Sequence, residues 1–316
     1  MTYTIFQHTV IRDILTGVFL CTLIFIIMYM MPLINLFAWM FMPLPILFYR
    51  LKTGRTGGFI IMVISLFMLI LTTRNTAFNP LYFGSLLITG FFLGECIEKH
   101  LSMEKIILFT CFAVFSVCTA VMFIYAANQG TSVETLILNY VDRYKELSSQ
   151  MFSDLAAFNP RFDATQESIE QISTVVTLIL PGIIIMTYLT MLWLNVLIIR
   201  KLLVKKGIVV KTIENLILWK APDHLVFGLI LVCIGLFLPI SGLKIVALNL
   251  LIVLLFVYFF QGIAIVSFFL NRKNAPFVLK IFFYALLAIQ PLLVLLIAVL
   301  GLFDTWINFR KFGTAN

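Results

Sequence analysis

The sequence predicts an all-α fold: a polytopic transmembrane helix bundle of about nine spans, with a pair of amphipathic helices outside the membrane. The 316 residues are 62% hydrophobic and 11% charged, with a mean hydropathy of +1.10, whereas soluble domains contain about 25% charged residues. The apolar residues form nine runs, and one polar, acidic stretch at residues 128–172 separates five runs from four. A water-soluble core does not absorb this much apolar surface.

Each apolar run is interpreted as a helix. A spanning helix needs roughly 20 mainly apolar residues, because every backbone N–H and C=O must be satisfied within the segment in hydrocarbon. The second, fourth and seventh runs are short and indicate tilted or half-buried helices, so the count is eight if one of them does not cross. The runs are Ile14–Met31, Ile34–Tyr49, Gly57–Thr73, Pro80–Leu93, Ile106–Ala127, Val175–Ile199, His224–Pro239, Ile245–Leu270 and Val278–Phe303.

The runs divide the chain into three predicted parts. Residues 1–127 are a five-span N-terminal array whose very short connections make sequential helices antiparallel neighbours. Residues 128–172 are an extracytoplasmic helical cap. Residues 173–316 are a four-span C-terminal bundle with a basic cytoplasmic loop at residues 200–222. The connections of the array are Met31-Pro32-Leu33 and the segment from Arg74 to Asn79.

Basic residues orient the chain, because cytoplasmic loops carry an excess of Lys and Arg. With a cytoplasmic N-terminus in a bacterial inner membrane, most basic residues lie inside and the stretch 128–172 lies outside. Arg310 and Lys311 disagree with this orientation unless one short run does not span. The inside set is Arg12, Arg50, Lys52, Arg55, Lys99, Lys105, Arg200, Lys201, Lys205, Lys206, Lys211, Lys220, Arg272, Lys273 and Lys280.

The stretch 128–172 is predicted to be two amphipathic helices. Thr131 and Glu134 fit a capping box at the start of the first helix. Asn159-Pro160 predicts a turn, and Asp163 with Gln166 predicts a cap at the start of the second helix. The stretch holds seven of the 14 acidic residues, which favours a solvated face on a helix lying across the membrane surface. The alternatives are a lid or docking surface and, more weakly, a cation site. The apolar positions at helical spacing are Val133, Ile137, Tyr140, Tyr144, Leu147, Met151 and Leu155.

Catalytic signatures are missing from the sequence, which predicts a protein that is not an enzyme and holds no cofactor. There is no phosphate-binding loop, zinc-protease motif, nucleophile elbow or dinucleotide glycine fingerprint. The densest polar cluster runs from Gly94 to His100. Cys96 and His100 share a helix face, but zinc generally needs at least three protein donors, so helix-end solvation explains the cluster and no metal site is predicted.

Four amides within apolar runs are the candidate ligand contacts: Asn195, Asn249, Gln261 and Gln290. An unpaired polar group is costly in hydrocarbon and normally faces the bundle interior or a wet cavity. Interhelical hydrogen bonds are the other interpretation. Gln261 is the strongest candidate because it adjoins Gly262 deep in the eighth run.

Small residues and prolines mark helix contacts and bends. Gly90 and Gly94 form a G-x-x-x-G pattern that lets helix backbones approach closely, either within the chain or with another subunit, and Gly262 has the same role. In-span prolines indicate kinks or broken helices around a substrate. They are Pro43, Pro45, Pro181 and Pro291.

Charge excludes two functional classes. The formal charge of +8 is spread over span ends without a compact patch, which indicates contact with anionic lipid and no nucleic acid. A proton- or sodium-coupled carrier commonly needs a carboxylate at mid-bilayer. None is expected in these runs.

Several strings together resemble the YybS-like bacterial membrane proteins, a family of unknown function. They are MPLPILFYRLKTGRTGG, LPGIIIMTYLTMLWLN, WKAPDHLVF, VYFFQGIAIVSFF and GLFDTWINFRK. The resemblance extends over nearly the whole chain. The array also resembles, more distantly, the S components of energy-coupling-factor vitamin transporters and the MreD-like rod-shape proteins. The S-component resemblance implies short spans around an outward-opening small-molecule pocket.

These observations lead to a transport-related, small-molecule-binding subunit as the first functional hypothesis. The alternative is a structural or assembly protein, MreD-like in role, that binds a membrane-protein partner or a second copy. A third hypothesis, an enzyme acting on lipid, depends only on Glu95, Glu98 and His100. The lipid bilayer is a partner in all three.

Overall fold

The computed structural model describes residues 2–31, 35, 37–73, 80–158, 166–205 and 216–314. Every regular element over these residues is helical, without a strand. The predicted connections at 32–33 and 74–79, the turn at Asn159-Pro160, the cap residue Asp163 and much of the basic loop lie outside the described residues.

Eleven α-helices and two short 3-10 helices, Trp39–Phe41 and Leu216–Leu218, account for the described residues in regular structure. The longest is α6, at 40 residues. The α-helices are α1 Thr2–Met30, α2 Pro43–Thr73, α3 Pro80–Glu98, α4 Met103–Gln129, α5 Val133–Phe158, α6 Gln166–Lys205, α7 Leu225–Phe237, α8 Ser241–Arg272, α9 Phe277–Ile289, α10 Pro291–Ile307 and α11 Phe309–Thr314.

The predicted helical membrane protein is confirmed, but the predicted nine spans are not. Among the described residues five helices are long and apolar enough to cross a membrane, or six if one bent pair counts as a single span. At 1.5 Å per residue, the 13 residues of α7 reach about 20 Å, against a hydrocarbon core of about 30 Å. The ninth run is bent by 104° between α9 and α10.

The last part of the second predicted run, residues 43–49, and the whole of the third run lie within α2, which is two helical arms joined by a reversal at Gly54. This residue has φ 81° and ψ −177°, a conformation open essentially to glycine alone. The arms at 43–53 and 55–73 fold onto each other, since a Cβ added to Gly58 would lie 3.1 Å from the Cα of Arg50. Two predicted helices are therefore present as one interrupted element.

Helix α1 packs beside both arms of α2. Its Asp13 binds Lys52 at 2.7 Å, and one turn later Gly17 lies against Tyr49 of the first arm and Ile61 of the second. The next turn brings Cys21 to Ser65, again on the second arm. Higher residue numbers in α1 therefore contact higher numbers in the second arm and lower numbers in the first. Helix α1 and the second arm run parallel to each other, and both are antiparallel to the first arm.

The alternation continues through α3 and α4. Gly90 of α3 packs against Pro43 and Ile46, while the Thr110 hydroxyl of α4 donates to Cys96 at 3.8 Å. The short link between α3 and α4 turns the chain back within a few residues. Residues 1–130 together with 189–214 form one compact unit, which contains the five alternating segments and the second half of α6.

The other compact unit comprises residues 131–188 and 215–316. Helices α7 and α8 form an antiparallel pair, in which Val226 and Leu229 contact Tyr258 at one end. At the other end a Cβ added to Gly235 would lie 3.4 Å from the Cβ of Ala247. Helix α9 folds back on the end of α8, where Lys280 donates to Asn271 at 2.6 Å.

The reversal at Gly54 is testable. Gly54→Ala is expected to lower the free energy of unfolding by about 1–3 kcal/mol, because an alanine strains this backbone conformation. Gly228→Ala is the control, since an added Cβ there meets no atom within 4 Å and a helix interior favours alanine. Denaturant titration of purified protein measures both variants. A Gly54 variant as stable as the wild type would contradict the assignment.

Candidate functional sites

A buried ion cluster joins α2 to the end of α3. Arg50 is fully buried, and its Nη2 donates to Glu95 and Glu98, each at 2.6 Å. The Glu95 side chain is 15% exposed and that of Glu98 is 56% exposed. One guanidinium nitrogen thus serves two carboxylates, one largely buried and one reaching the surface.

Glycines create the space for Arg50. Its side chain crosses Gly58 of α2 and Gly94 of α3, where an added Cβ would collide with the arginine stem. The guanidinium carbon lies 5.7 Å from the centre of the Phe91 ring, within cation–π range. Its Nε and Nη1 have no hydrogen-bond partner. The G-x-x-x-G pattern therefore lies at a contact within the chain, where Gly90 meets the backbone of Pro43 and Gly94 meets Arg50.

The sequence interpretation assigned Arg50 to an inside loop and regarded the Glu95 to His100 segment as a solvated helix end. The structure corrects the first of these, because Arg50 lies within the helical hairpin and is buried. His100 is exposed and has a φ of 53°, while Cys96 is hydrogen-bonded by Thr110. Among the described residues no three His, Cys, Asp or Glu side chains form a metal-binding group.

Asn195, on the second half of α6, is buried. Its Nδ2 donates to the carbonyl of Met40 at 2.7 Å and to that of Met191 at 2.8 Å. Met40 belongs to the 3-10 helix ahead of α2, and its carbonyl accepts the hydrogen bond from the Asn195 side chain. The Oδ1 of Asn195 has no hydrogen-bond partner.

Asn249 of α8 repairs a break in α6. Pro181 interrupts the i to i−4 hydrogen-bond pattern of that helix. At the residue after the proline, the side chain of Asn249 accepts from Gly182 N at 2.6 Å and donates to Leu178 O at 2.8 Å. These are the two groups that would bond each other in an unbroken helix. The amide therefore bridges the helical bond next to the one that proline removes.

Gln261 is fully buried at the centre of a polar network in the C-terminal part of the chain. Its Oε1 accepts from Ala221 N at 3.2 Å, and its Nε2 donates to Asp304 at 3.0 Å. The other oxygen of Asp304 accepts from Phe309 N at 2.8 Å. The network thus provides acceptors for backbone N–H groups at two helix boundaries, the one before α7 and the one between α10 and α11.

Arg310 completes this network. Its Nη1 and Nη2 donate to the carbonyls of Leu218 and Trp219 at 3.0 and 2.8 Å, and Nη2 lies 3.9 Å from the Asp304 carboxylate. Burial lowers the pKa of Arg310, and the negative charge of Asp304 opposes that change. The segment at 309–314 is consequently bound to the segment just before α7.

Glycines again permit the close packing around Gln261. An added Cβ at Gly262 would collide with the carbonyl of Ile297, and one at Gly301 would lie 2.7 Å from the nitrogen of Gly262. Helices α8 and α10 therefore meet backbone to backbone. The sequence singled out Gly262 for this role and singled out Gln261. Asp304, which directly follows the last predicted run, is 1% exposed.

Gln290 differs from the other amides and corrects the expectation that it faces the bundle interior. It is exposed, in the break between α9 and α10. Pro291 disfavours helical geometry in the residue before it, and Gln290 has φ −112° and ψ 99°. The break turns its side chain out of the packed region.

An acidic groove separates α5 from the first turns of α6. The helices cross where Ser149 donates to the Ser173 hydroxyl at 3.0 Å and Ser173 donates to Lys145 O at 3.0 Å. Beside this crossing lies a cavity of about 600 Å³. Four carboxylates and one ammonium group surround it. Its lining is Asp142, Lys145, Glu146, Ser149, Gln150, Ser153, Asp154 and Glu170.

The apolar stripe of α5 lies away from the α6 crossing. At the helix start the cap is formed by Ser132, whose Oγ accepts from Thr135 N at 3.1 Å, one residue later than the predicted box. Six stripe residues are between 36% and 60% exposed, so no other described part of the chain covers the stripe. They are Ile137, Tyr140, Tyr144, Leu147, Met151 and Leu155.

The comparisons with known proteins give one result. The model of a family described as Predicted membrane protein (DUF2232) matches residues 19–305. No curated protein and no solved structure matches the chain.

The Arg50 cluster yields a stability prediction. Arg50→Ala is expected to lower the free energy of unfolding by roughly 3–5 kcal/mol, because it removes the buried hydrogen-bonding partner of the largely buried Glu95. The cations that remain near Glu95 are farther away, Arg55 at 3.6 Å and Lys99 at 3.8 Å. Lys52→Ala is the matched control, since it breaks the partly exposed pair with Asp13 and is expected to cost less than about 1 kcal/mol. Equal losses in the two variants, measured by denaturant titration, would contradict a buried structural cluster.

Proposed function

We propose that this chain, which belongs to the DUF2232 family of predicted membrane proteins, is a transport-related, small-molecule-binding subunit without catalytic chemistry of its own. The observation that supports the proposal is the cavity of about 600 Å³ between α5 and α6. This volume falls within the range of about 300–1,000 Å³ typical of small-molecule sites. The resemblance of the N-terminal array to S components motivates the transport role.

The lining of the groove defines the ligand class. Asp142, Glu146, Asp154 and Glu170 provide four carboxylates against the single ammonium of Lys145. Serine hydroxyls and the Gln150 amide add groups that donate and accept hydrogen bonds. A small organic cation with hydrogen-bonding groups therefore fits this lining best, and the groove captures it at the membrane surface.

In this proposal the described part of the N-terminal array contributes packing. Its cavity beside Cys21, Ser65 and Leu87 has no room for a water molecule. The amides Asn195, Asn249 and Gln261 bind backbone groups of the chain itself. The proposed ligand site is therefore the groove, and the predicted amide contacts take a structural role.

A ligand screen tests the groove. Purified protein in nanodiscs is heated with vitamins, nucleobases and small amines, and cationic members of the panel are expected to raise the melting temperature. The double variant Glu146→Gln, Asp154→Asn is expected to weaken binding at least about tenfold, because each charge at 4 Å contributes about 1 kcal/mol even in water. The control is Glu134→Gln, on α5 but outside the groove lining.

Two outcomes of this screen would contradict the proposal. One is that no member of the panel stabilises the protein. The other is that the double variant binds the stabilising compound as tightly as the wild type and the Glu134→Gln control.

A second candidate is an assembly protein with an MreD-like role, and the exposed stripe on α5 favours it. A row that includes Tyr144, Leu147 and Met151 fits the apolar side chains of a membrane-protein partner. A photo-crosslinking amino acid at Leu147 is expected to capture a reproducible partner in native membranes, whereas the same group at Gln150, in the groove, is not. No crosslink at Leu147, or equal crosslinks at both positions, would contradict this role.

We also propose a location and topology: a bacterial inner membrane, with both termini in the cytoplasm. The contacts of Arg310 with Leu218 and Trp219 support the same side for 309–314 and for the end of the basic loop. The bent pair α9 and α10 then enters and leaves on that side. Arg310 and Lys311 join the inside set, which removes the disagreement in the sequence, and the bent pair is not counted as a crossing.

Reporter fusions test the topology. Green fluorescent protein fused after residue 314 is expected to fluoresce, and alkaline phosphatase at the same point is expected to be inactive, because phosphatase folds only outside the cytoplasm. Fusions after Gly130 are expected to give the opposite pattern. Active phosphatase at the C-terminus would show that the bent pair crosses the membrane.

A further inference from the structure

A second cavity lies in the C-terminal unit and is chemically unlike the acidic groove. Its volume is about 360 Å³. It lies along the last turns of α8, opposite α10, with one side chain of α11 at its end. The residues that shape it are Ile265, Val266, Phe269 and Leu270 of α8, Lys273 directly after α8, Leu300 of α10 and Phe309 of α11.

The surface of this cavity is apolar except at one end. Isoleucine, leucine and phenylalanine side chains form its walls, and Lys273 provides the charged group. Lys273 is exposed and makes no ion pair with any described residue. An apolar channel with a cation at its mouth matches a molecule with a hydrocarbon chain and an anionic head.

The buried polar network fixes the shape of the cavity. Asp304 accepts a hydrogen bond from the backbone of Phe309 at 2.8 Å, which holds the first residue of α11 beside α8. The contact of Gly262 with Ile297 brings α10 against α8 one turn before the cavity begins. Because both walls are held by these contacts, the groove is part of the folded structure.

We propose that this groove binds an anionic phospholipid, with part of one acyl chain along the apolar walls and the phosphate at Lys273. Lipid is the occupant that charge complementarity favours, since a basic residue at the membrane surface attracts anionic headgroups by about 1 kcal/mol. This binding is independent of the ligand proposed for the acidic groove.

Native mass spectrometry of the full chain tests the site, using nanodiscs with equal amounts of phosphatidylglycerol and phosphatidylcholine. The wild type is expected to retain phosphatidylglycerol about fivefold more than phosphatidylcholine, the ratio that corresponds to about 1 kcal/mol. Lys273→Gln is expected to abolish the preference. Lys244→Gln, at the opposite end of α8, is the matched control and is expected to keep it.

A second variant tests the apolar walls. Leu300→Trp places a larger side chain in the groove and is expected to reduce the retention of both lipids, with the melting temperature of the variant reporting whether it remains folded. The proposal is overturned if the wild type retains the two lipids equally, or if Lys273→Gln and Lys244→Gln behave alike. It is also overturned if the folded Leu300→Trp variant retains lipid as the wild type does, or if the groove proves to join two copies of the chain.

Discussion

Backbone groups released at helix breaks are the constraint on which the described structure depends. In hydrocarbon an unsatisfied N–H or C=O costs several kcal/mol, so a broken helix must be repaired by a neighbour. Asn249 binds the two groups separated beside Pro181, Gln261 binds Ala221 N ahead of α7, and Asp304 binds Phe309 N after α10. These polar side chains bind the chain where a helix is interrupted, begins or ends.

The same constraint explains why glycines accompany these side chains. A side chain reaches a neighbouring backbone only if the helices approach closely, and Gly182 lies beside Asn249 while Gly262 and Gly301 lie beside Gln261. In the N-terminal unit, Gly58 and Gly94 give Arg50 its path to the glutamates. Close backbone contact and internal polar bonds leave little free volume there, so ligand chemistry is better sought at the surface grooves.

Much of the helical organisation was predictable from local sequence. Apolar runs mark the helices, a group of glycines and basic residues between Tyr49 and Phe59 marks the reversal, and amides in apolar runs mark the polar contacts. The partners were not predictable, because Arg50 and Glu95 are 45 residues apart and Gln261 and Asp304 are 43 apart. Composition near a span end suggests solvent for Arg50 and Asp304, and only tertiary packing buries them. The exposure of the α5 stripe is likewise a tertiary property.

The most direct measurement is a double-mutant cycle between Pro181 and Asn249, followed by denaturant unfolding in one detergent. Asn249→Leu is expected to destabilise the wild type by about 1–3 kcal/mol, since hydrogen bonds in membrane proteins average about 0.6 kcal/mol and reach about 1.7 kcal/mol. In a Pro181→Ala background the helix can close its own bond, so the same substitution is expected to cost less than half as much. Costs that agree in the two backgrounds within about 0.5 kcal/mol would mean additive effects and would contradict backbone repair as the role of the buried amides.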